Sequence, residues 1–247
     1  MRGFCPAARI LATCLLLLLL PIAAHAQPGP RQTALCADAI QHAERKHETP
    51  PGLLVTIAKV ESGRRNAAGE LEPWPWTINA DGQGYFFASK AEAVAWAKQG
   101  LANGVQFMDV GCMQVDLQMH PNAFRSLDDA FDPAINADYA ARFLRSLREG
   151  ANGNWYAAIG LYHSHTPELA SYYRMAVAAV GAGLPIPGAG PRVGRAGMTR
   201  VALTGGGATM LNLHRQPARI RRTISPCRIA AVLGPYLRSG VAGCKRS

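Results

Sequence analysis

The chain is 247 residues long with a formal net charge of +10, and its basic excess sits at the two ends. Between residues 27 and 180 all 16 acidic residues accompany 13 Lys and Arg, a net of −3, whereas Gly181 to Ser247 holds 11 Lys and Arg and no acid. This distribution excludes a uniformly basic body built to bind nucleic acid and leaves room for one well-cored domain with a basic segment appended.

Residues 1–26 read as an export signal. Arg2 and Arg9 precede an apolar run from Ile10 through the six leucines Leu15 to Leu20, and Ala24-His25-Ala26 fits an A-x-A cleavage site. An uncleaved anchor is the competing reading, but the run is short for a membrane span. No Cys follows at the +1 position, so a lipoprotein is not expected, and no other long apolar segment exists. The mature chain, beginning near Gln27, is therefore expected to be exported, soluble and periplasmic.

A first amphipathic helix is predicted over Ala34 to His47, with Leu35, Ala39, Ile40 and Ala43 inward. Thr49, Pro50 and Pro51 break it and start a second helix, PGLLVTIAKVESG. There Leu54, Ile57, Ala58 and Glu61 fall at i, i+3, i+4 and i+7, so a carboxylate shares a stripe with apolar residues. Gly63 is expected as the left-handed residue after the helix. Glu61 then sits in the last turn, where the macrodipole and partial burial both disfavour its ionisation. A raised pKa suits a proton donor near neutral pH; the alternative is a Glu whose stem lies on the core edge while its head reaches water.

Downstream, Thr77 to Ala80 and Tyr85 to Phe87 flank a turn built on Asp81-Gly82 and Gly84, a β-hairpin signal. Ser89 with Glu92 forms a capping box for a helix to about Ala102, and the extended stretch VQFMDVGCMQV follows as a third strand. Asp132-Pro133 opens a helix with Ile135, Tyr139, Phe143 and Leu147 on one face. Asn154 opens another, with Trp155, Ile159 and Tyr162 aligned. A last helix from Pro167 aligns Leu169, Tyr173, Ala176, Val177 and Val180. The fold class is mainly α with a small antiparallel β-sheet (α+β), in a domain over residues 33–180. Residues 181–247, rich in Gly, Pro and Arg, are expected to be a largely disordered basic tail with a short helix around Ile229 to Leu237. Such a tail suits anionic cell-wall polymers or acidic headgroups, or is simply solvated; it lacks the aromatic interleaving of a nucleic-acid binder.

Four cysteines follow the signal: Cys36, Cys112, Cys227 and Cys244. Disulfides are permitted outside the inner membrane, and three pairings are open. Cys36 with Cys112 and Cys227 with Cys244 is the favoured one. No CxxC or HxxxH spacing suggests a metal site, and no cofactor is expected.

Glu61-Ser62, then Gly111-Cys112-Met113-Gln114-Val115, then Tyr162-His163-Ser164 resemble, in order, the three motifs of the soluble lytic transglycosylase family of peptidoglycan-cleaving enzymes. The similarity spans roughly residues 36 to 178. It implies a lysozyme-like fold and cleavage of the β-1,4 bond between N-acetylmuramic acid and N-acetylglucosamine in glycan strands, with Glu61 as acid and then base. It further implies that Ser62 orients the glutamyl group or a sugar substituent and that Gln114 bonds substrate amides. Met113 would pack beneath a sugar face, or else belong to the core. Tyr162 would hold Glu61 or the acetamido group. His163 stands at the family's Asn position and is placed with the substrate-binding residues; Cys112 replaces the usual Leu, tolerable because Cys behaves as a small apolar residue. Trp74, Trp76 and Tyr85 could stack on sugars or form the hydrophobic face of the small sheet.

Asp109 and Asp116 offer second carboxylates, which would make the protein a hydrolytic muramidase; their alternatives are a local turn or backbone contact for Asp109 and a cap for Asp116. A non-catalytic peptidoglycan-binding protein is the reading of another class. The partners so implied are glycan strands and, among envelope processes, a secretion, conjugation or motility apparatus spanning the envelope.

Overall fold

The computed structural model describes residues 30–66 and 68–186. The export signal, most of the basic tail with its expected helix, and the Cys227 and Cys244 pair lie outside the described residues. Among the described residues are seven helices and six short strands, every strand pairing antiparallel, which is the mainly α architecture with a small antiparallel sheet that the sequence pattern implies.

Helix α1 (Pro30–Lys46) buries Cys36, Ile40, Ala43 and Glu44, whereas Leu35, expected inward, is 45% exposed. Ile40 and Ala43 are buried as expected, and Cys36 takes the inward place beside them, bonded to Cys112 in a disulfide. Glu44 is 6% exposed, and its carboxylate accepts the amides of Gly52, Leu54 and Val55 at 3.0, 2.7 and 3.3 Å. Those amides open helix α2 (Leu53–Glu61), whose N-cap Gly52 has φ 80° and no side chain to cap with. A remote carboxylate from α1 therefore satisfies the orphan donors and sits at the positive end of the helix dipole.

Helix α2 starts two residues later than its sequence signals suggest and is central, with Leu53, Leu54, Thr56, Ile57, Ala58 and Val60 all buried. Gly63 is not a left-handed stop. It lies in strand β1 (Gly63–Arg65), and a Cβ there would fall 2.1 Å from the Lys59 carbonyl oxygen. Close approach, not torsion, demands glycine. Strand β1 pairs with β2 (Leu71–Pro73), a hairpin invisible to periodicity because three-residue strands carry too little alternation.

The main sheet has the order β4-β3-β5-β6. Strands β3 (Thr77–Ala80) and β4 (Gln83–Phe86) join through Asp81 (φ 46°) and Gly82 (φ 81°), a primed turn suited to strand twist; Gly84 belongs to β4. Helix α3 (Lys90–Ala102) begins at the expected cap, Ser89 Oγ accepting the Glu92 amide. The single strand expected over residues 105–115 is instead two, β5 (Met108–Val110) and β6 (Val115–Asp116), separated by the turn Gly111 to Gln114. Gly111 (φ 81°) and Gln114 (φ 48°) are both left-handed, which breaks the run and adds a fourth strand to the anticipated three.

After α4 (Leu127–Ala130), helix α5 (Pro133–Gly150) is capped by Asp132 with Pro133 in its first turn. Its deep face is Asn136, Ala137, Ala140, Ala141 and Leu144, whereas Ile135 is 36% exposed. The small residues, not the larger apolar ones predicted, admit close packing of α1. Helices α6 (Trp155–His163) and α7 (Pro167–Gly181) complete the helical core with α1, α2 and α5. A second cluster joins the sheet to α3 and Phe131.

The Glu44 cap is expected to be stabilising. Glu44→Ala should lower the unfolding free energy by about 1–3 kcal/mol, read as a lower denaturant midpoint at an unchanged slope.

Candidate active site

Glu61 ends α2 at the junction of the helical core and the sheet. The residue retains partial exposure, while the hydroxyl of fully buried Tyr173 donates to its Oε1 at 2.5 Å. Burial pushes the Glu61 carboxyl up to about 8, against the lowering effect of the Tyr173 bond and with a further rise from Asp109. A rise of that size is on the order of 5 kcal/mol. It is what remains after the lowering by the Tyr173 bond, so desolvation decides the protonation state.

The residue that holds Glu61 is thus Tyr173, not Tyr162. Helix α7 is the element that packs along α2, whereas Tyr162, near the end of α6, turns its hydroxyl to the Met113 carbonyl at 2.9 Å. The two tyrosines stack with centroids 6.5 Å apart, and His163 lies parallel to Tyr173 at 4.8 Å. His163 is therefore placed on the ring that anchors the carboxyl.

The turn Gly111 to Gln114 forms the adjoining wall. Asn136 clamps it from α5: its Oδ1 accepts the Met113 amide at 2.9 Å, and its Nδ2 donates to the carbonyls of Val110 and Ala130. A Cβ at Gly111 would fall 2.5 Å from Asn136 Nδ2, so Gly111 is required by space as well as by φ. Ser62 Oγ donates to the Cys112 carbonyl at 2.7 Å and lies 3.2 Å from the Ala58 carbonyl, and it accepts the Trp74 amide at 3.3 Å. It is fully buried, and its hydroxyl fastens α2 to the turn.

Several expected sugar contacts change character. Met113 is 0% exposed within the helical core, and Trp74 is 1% exposed with its indole N–H donating to the Phe87 carbonyl; both are packing residues. Tyr85 packs on Trp96 of α3 at 4.5 Å, and Trp76 meets Trp74 edge-on. Gln114 Nε2 donates to the carbonyls of Thr77 and Gly111, leaving Oε1 buried without a partner. Cys112 is not a free thiol but half of the Cys36 disulfide.

Of the two aspartates, Asp109 is 7% exposed and accepts from Asn79 Nδ2 at 2.9 Å. Burial, and then the nearby charge of Asp116, push it up to about 7, with the Asn79 bond pulling the other way. Asp116 stands opposite Asp109 across the sheet, and its Oδ1 accepts the amides of Gln118 and Met119, the expected cap. Among the described residues no group of three or more His, Cys, Asp or Glu could hold a metal ion, and no helix is long and apolar enough to cross a membrane.

Tyr173, Asn136, Asn79 and Glu44 escape the sequence motifs. Each carries a buried polar group, and the one legible signal is that such a group must find a partner.

The raised Glu61 has a stability consequence. Its folded value, about 8, lies above the unfolded 4.5, so its contribution is fully present below the unfolded value and is lost as pH rises through the folded one. Glu61→Gln keeps an oxygen for Tyr173 and removes the titration. Thermal melts should find the two proteins alike at about pH 4 and the variant the more stable at about pH 9.

The chain matches the family model described as Transglycosylase SLT domain over residues 38–174. Searches of curated proteins and of solved structures return no match. The matched span takes in more than half of the chain, from α1 into α7, and contains Glu61, the clamped turn and Tyr173. The protein belongs to the Transglycosylase SLT domain family of peptidoglycan-active proteins.

Proposed function

We propose that this protein is a lytic transglycosylase that cleaves the β-1,4 bond between N-acetylmuramic acid and N-acetylglucosamine, with Glu61 acting first as acid and then as base. The observation that carries the reading is the Glu61 carboxyl itself, set at the end of α2 and bonded by the Tyr173 hydroxyl; burial raises it to about 8, which favours the protonated form at neutral pH. A carboxyl in that state delivers a proton to the glycosidic oxygen as an oxocarbenium-like state develops on the muramyl ring. The carboxylate left behind accepts the Tyr173 hydrogen bond and takes the proton of the same sugar's carbon-6 hydroxyl. That hydroxyl attacks the anomeric carbon and closes a 1,6-anhydro ring. No water enters, and the internal nucleophile gains from proximity.

The state of the aspartates favours one carboxyl over two. Asp109 is buried with its Oδ2 held by the Asn79 amide, and the Asp116 oxygen that caps two amides is already occupied. Gln114, Tyr85 and His163 are assigned to substrate binding, and Ser62, Met113 and Tyr162 to support of the groove wall. The proposal includes export by residues 1–26 to the periplasm, a catalytic domain over residues 33–180 and a basic tail that contacts the anionic wall.

Digestion of purified sacculi with mass spectrometry of the products tests the reaction. Wild type should release 1,6-anhydro-muropeptides, and Glu61→Gln should lose about 10²-fold to 10⁴-fold in rate. Hydrated reducing ends alone would instead indicate a muramidase, and sacculus binding that survives Glu61→Gln without any product from wild type would indicate a binding protein. The rate should fall as pH rises through about 8. Tyr173→Phe removes a bond that favours the charged carboxylate, so it should lower kcat while moving that alkaline limb to higher pH.

A further inference from the structure

Helix α1 grips helix α2 near both ends. Glu44 holds the N-terminal amides of α2, and eight residues earlier Cys36 is bonded to Cys112, whose carbonyl accepts from Ser62 at the other end of α2. Eight helical residues span about 12 Å and the nine residues of α2 about 13 Å, so the two grips are spaced to the length of the helix that carries Glu61. Both cysteines are fully buried, 5.8 Å apart at Cα.

Cys112 also sits between the two left-handed residues Gly111 and Gln114. Gln114 at φ 48° is held in a sparsely populated conformation, which persists only where its surroundings over-determine it. Two routes run from this turn to the reacting carboxyl. One passes from the Cys112 carbonyl to Ser62, the residue next to Glu61. The other passes from the Met113 carbonyl to Tyr162, whose ring stacks on Tyr173, the donor to Glu61 Oε1.

We propose that the Cys36–Cys112 disulfide is a positioning element of the active site, which fixes the Gly111–Gln114 turn and through Ser62 and Tyr162 sets the placement of the Glu61 carboxyl. The alternative is a staple that only restricts the unfolded chain, as a link across 76 residues does wherever it lies. The two differ in what they change: a staple alters the melting temperature, whereas a positioning element alters turnover in chains that remain folded. The inference rests on the reading of Glu61 as the acid.

The test is a kinetic comparison on sacculi of wild type with Cys36→Ala/Cys112→Leu, in which Leu fills the vacated space, at a temperature where near-ultraviolet circular dichroism shows both folded. The double variant should lose roughly 10-fold or more in kcat, with KM within about twofold and the alkaline limb of the rate displaced, since Tyr173, Asp109 and Tyr162 all face Glu61. Ser62→Ala, which cuts the first route, should lower kcat in wild type and add little in the double variant. Equal kcat and an unchanged pH profile with only a lower melting temperature would overturn the proposal. If the double variant does not fold, Ser62→Ala in the intact disulfide carries the decision, and an unchanged kcat with an unchanged limb there overturns it. Failure of wild type to release anhydro products would instead strike the reading of the reaction.

Discussion

Everything distinctive in this site depends on a contest at one carboxyl. Desolvation at the junction of the helical core and the sheet drives Glu61 toward its neutral form, while the Tyr173 hydroxyl favours the charged one. Desolvation outweighs the bond at neutral pH, and in the proposed reaction the same bond serves the carboxylate formed once the proton has left. A group proposed to donate and then accept needs both influences together. Exposure alone would leave it ionised, and burial alone would leave its conjugate base unsupported.

Keeping that balance requires fixed walls, and the protein commits buried polar groups to the task. Asn136 uses its amide on two backbone groups of the Gly111–Gln114 turn and its flank and on the last carbonyl of α4. Glu44 terminates α2 from a different helix. Ser62 and Tyr162 both spend hydroxyls on the backbone of the Gly111–Gln114 turn. In each case a polar side chain that would be costly to bury alone is satisfied by main-chain groups, so the rigidity of the site and the satisfaction of the core come from the same bonds.

The sequence pattern reveals the parts of this arrangement that are local. The stripe Leu54, Ile57, Ala58, Glu61 follows from helical spacing, the capping box Ser89 and Glu92 is seen in place, and Asp132-Pro133 opens its helix as expected. Long-range partnerships are the parts that stay hidden. Tyr173 lies 112 residues from Glu61 and reads as one more apolar member of a core stripe. The Ala-rich deep face of α5 is mistaken for the larger residues beside it, because size suggests burial while close helix packing selects for smallness. Gly63 and Gly111 look alike in sequence, yet one is required because a Cβ would run into the Lys59 carbonyl and the other by a left-handed turn against Asn136.

The most direct test of the account is the protonation of Glu61 itself, followed by carbon-13 NMR of its side-chain carboxyl across a pH titration of the folded wild-type protein. The account predicts a midpoint near 8 that rises further in Tyr173→Phe. A midpoint near the ordinary 4.5 would contradict it, since Glu61 would then be ionised at neutral pH and would have no proton to give.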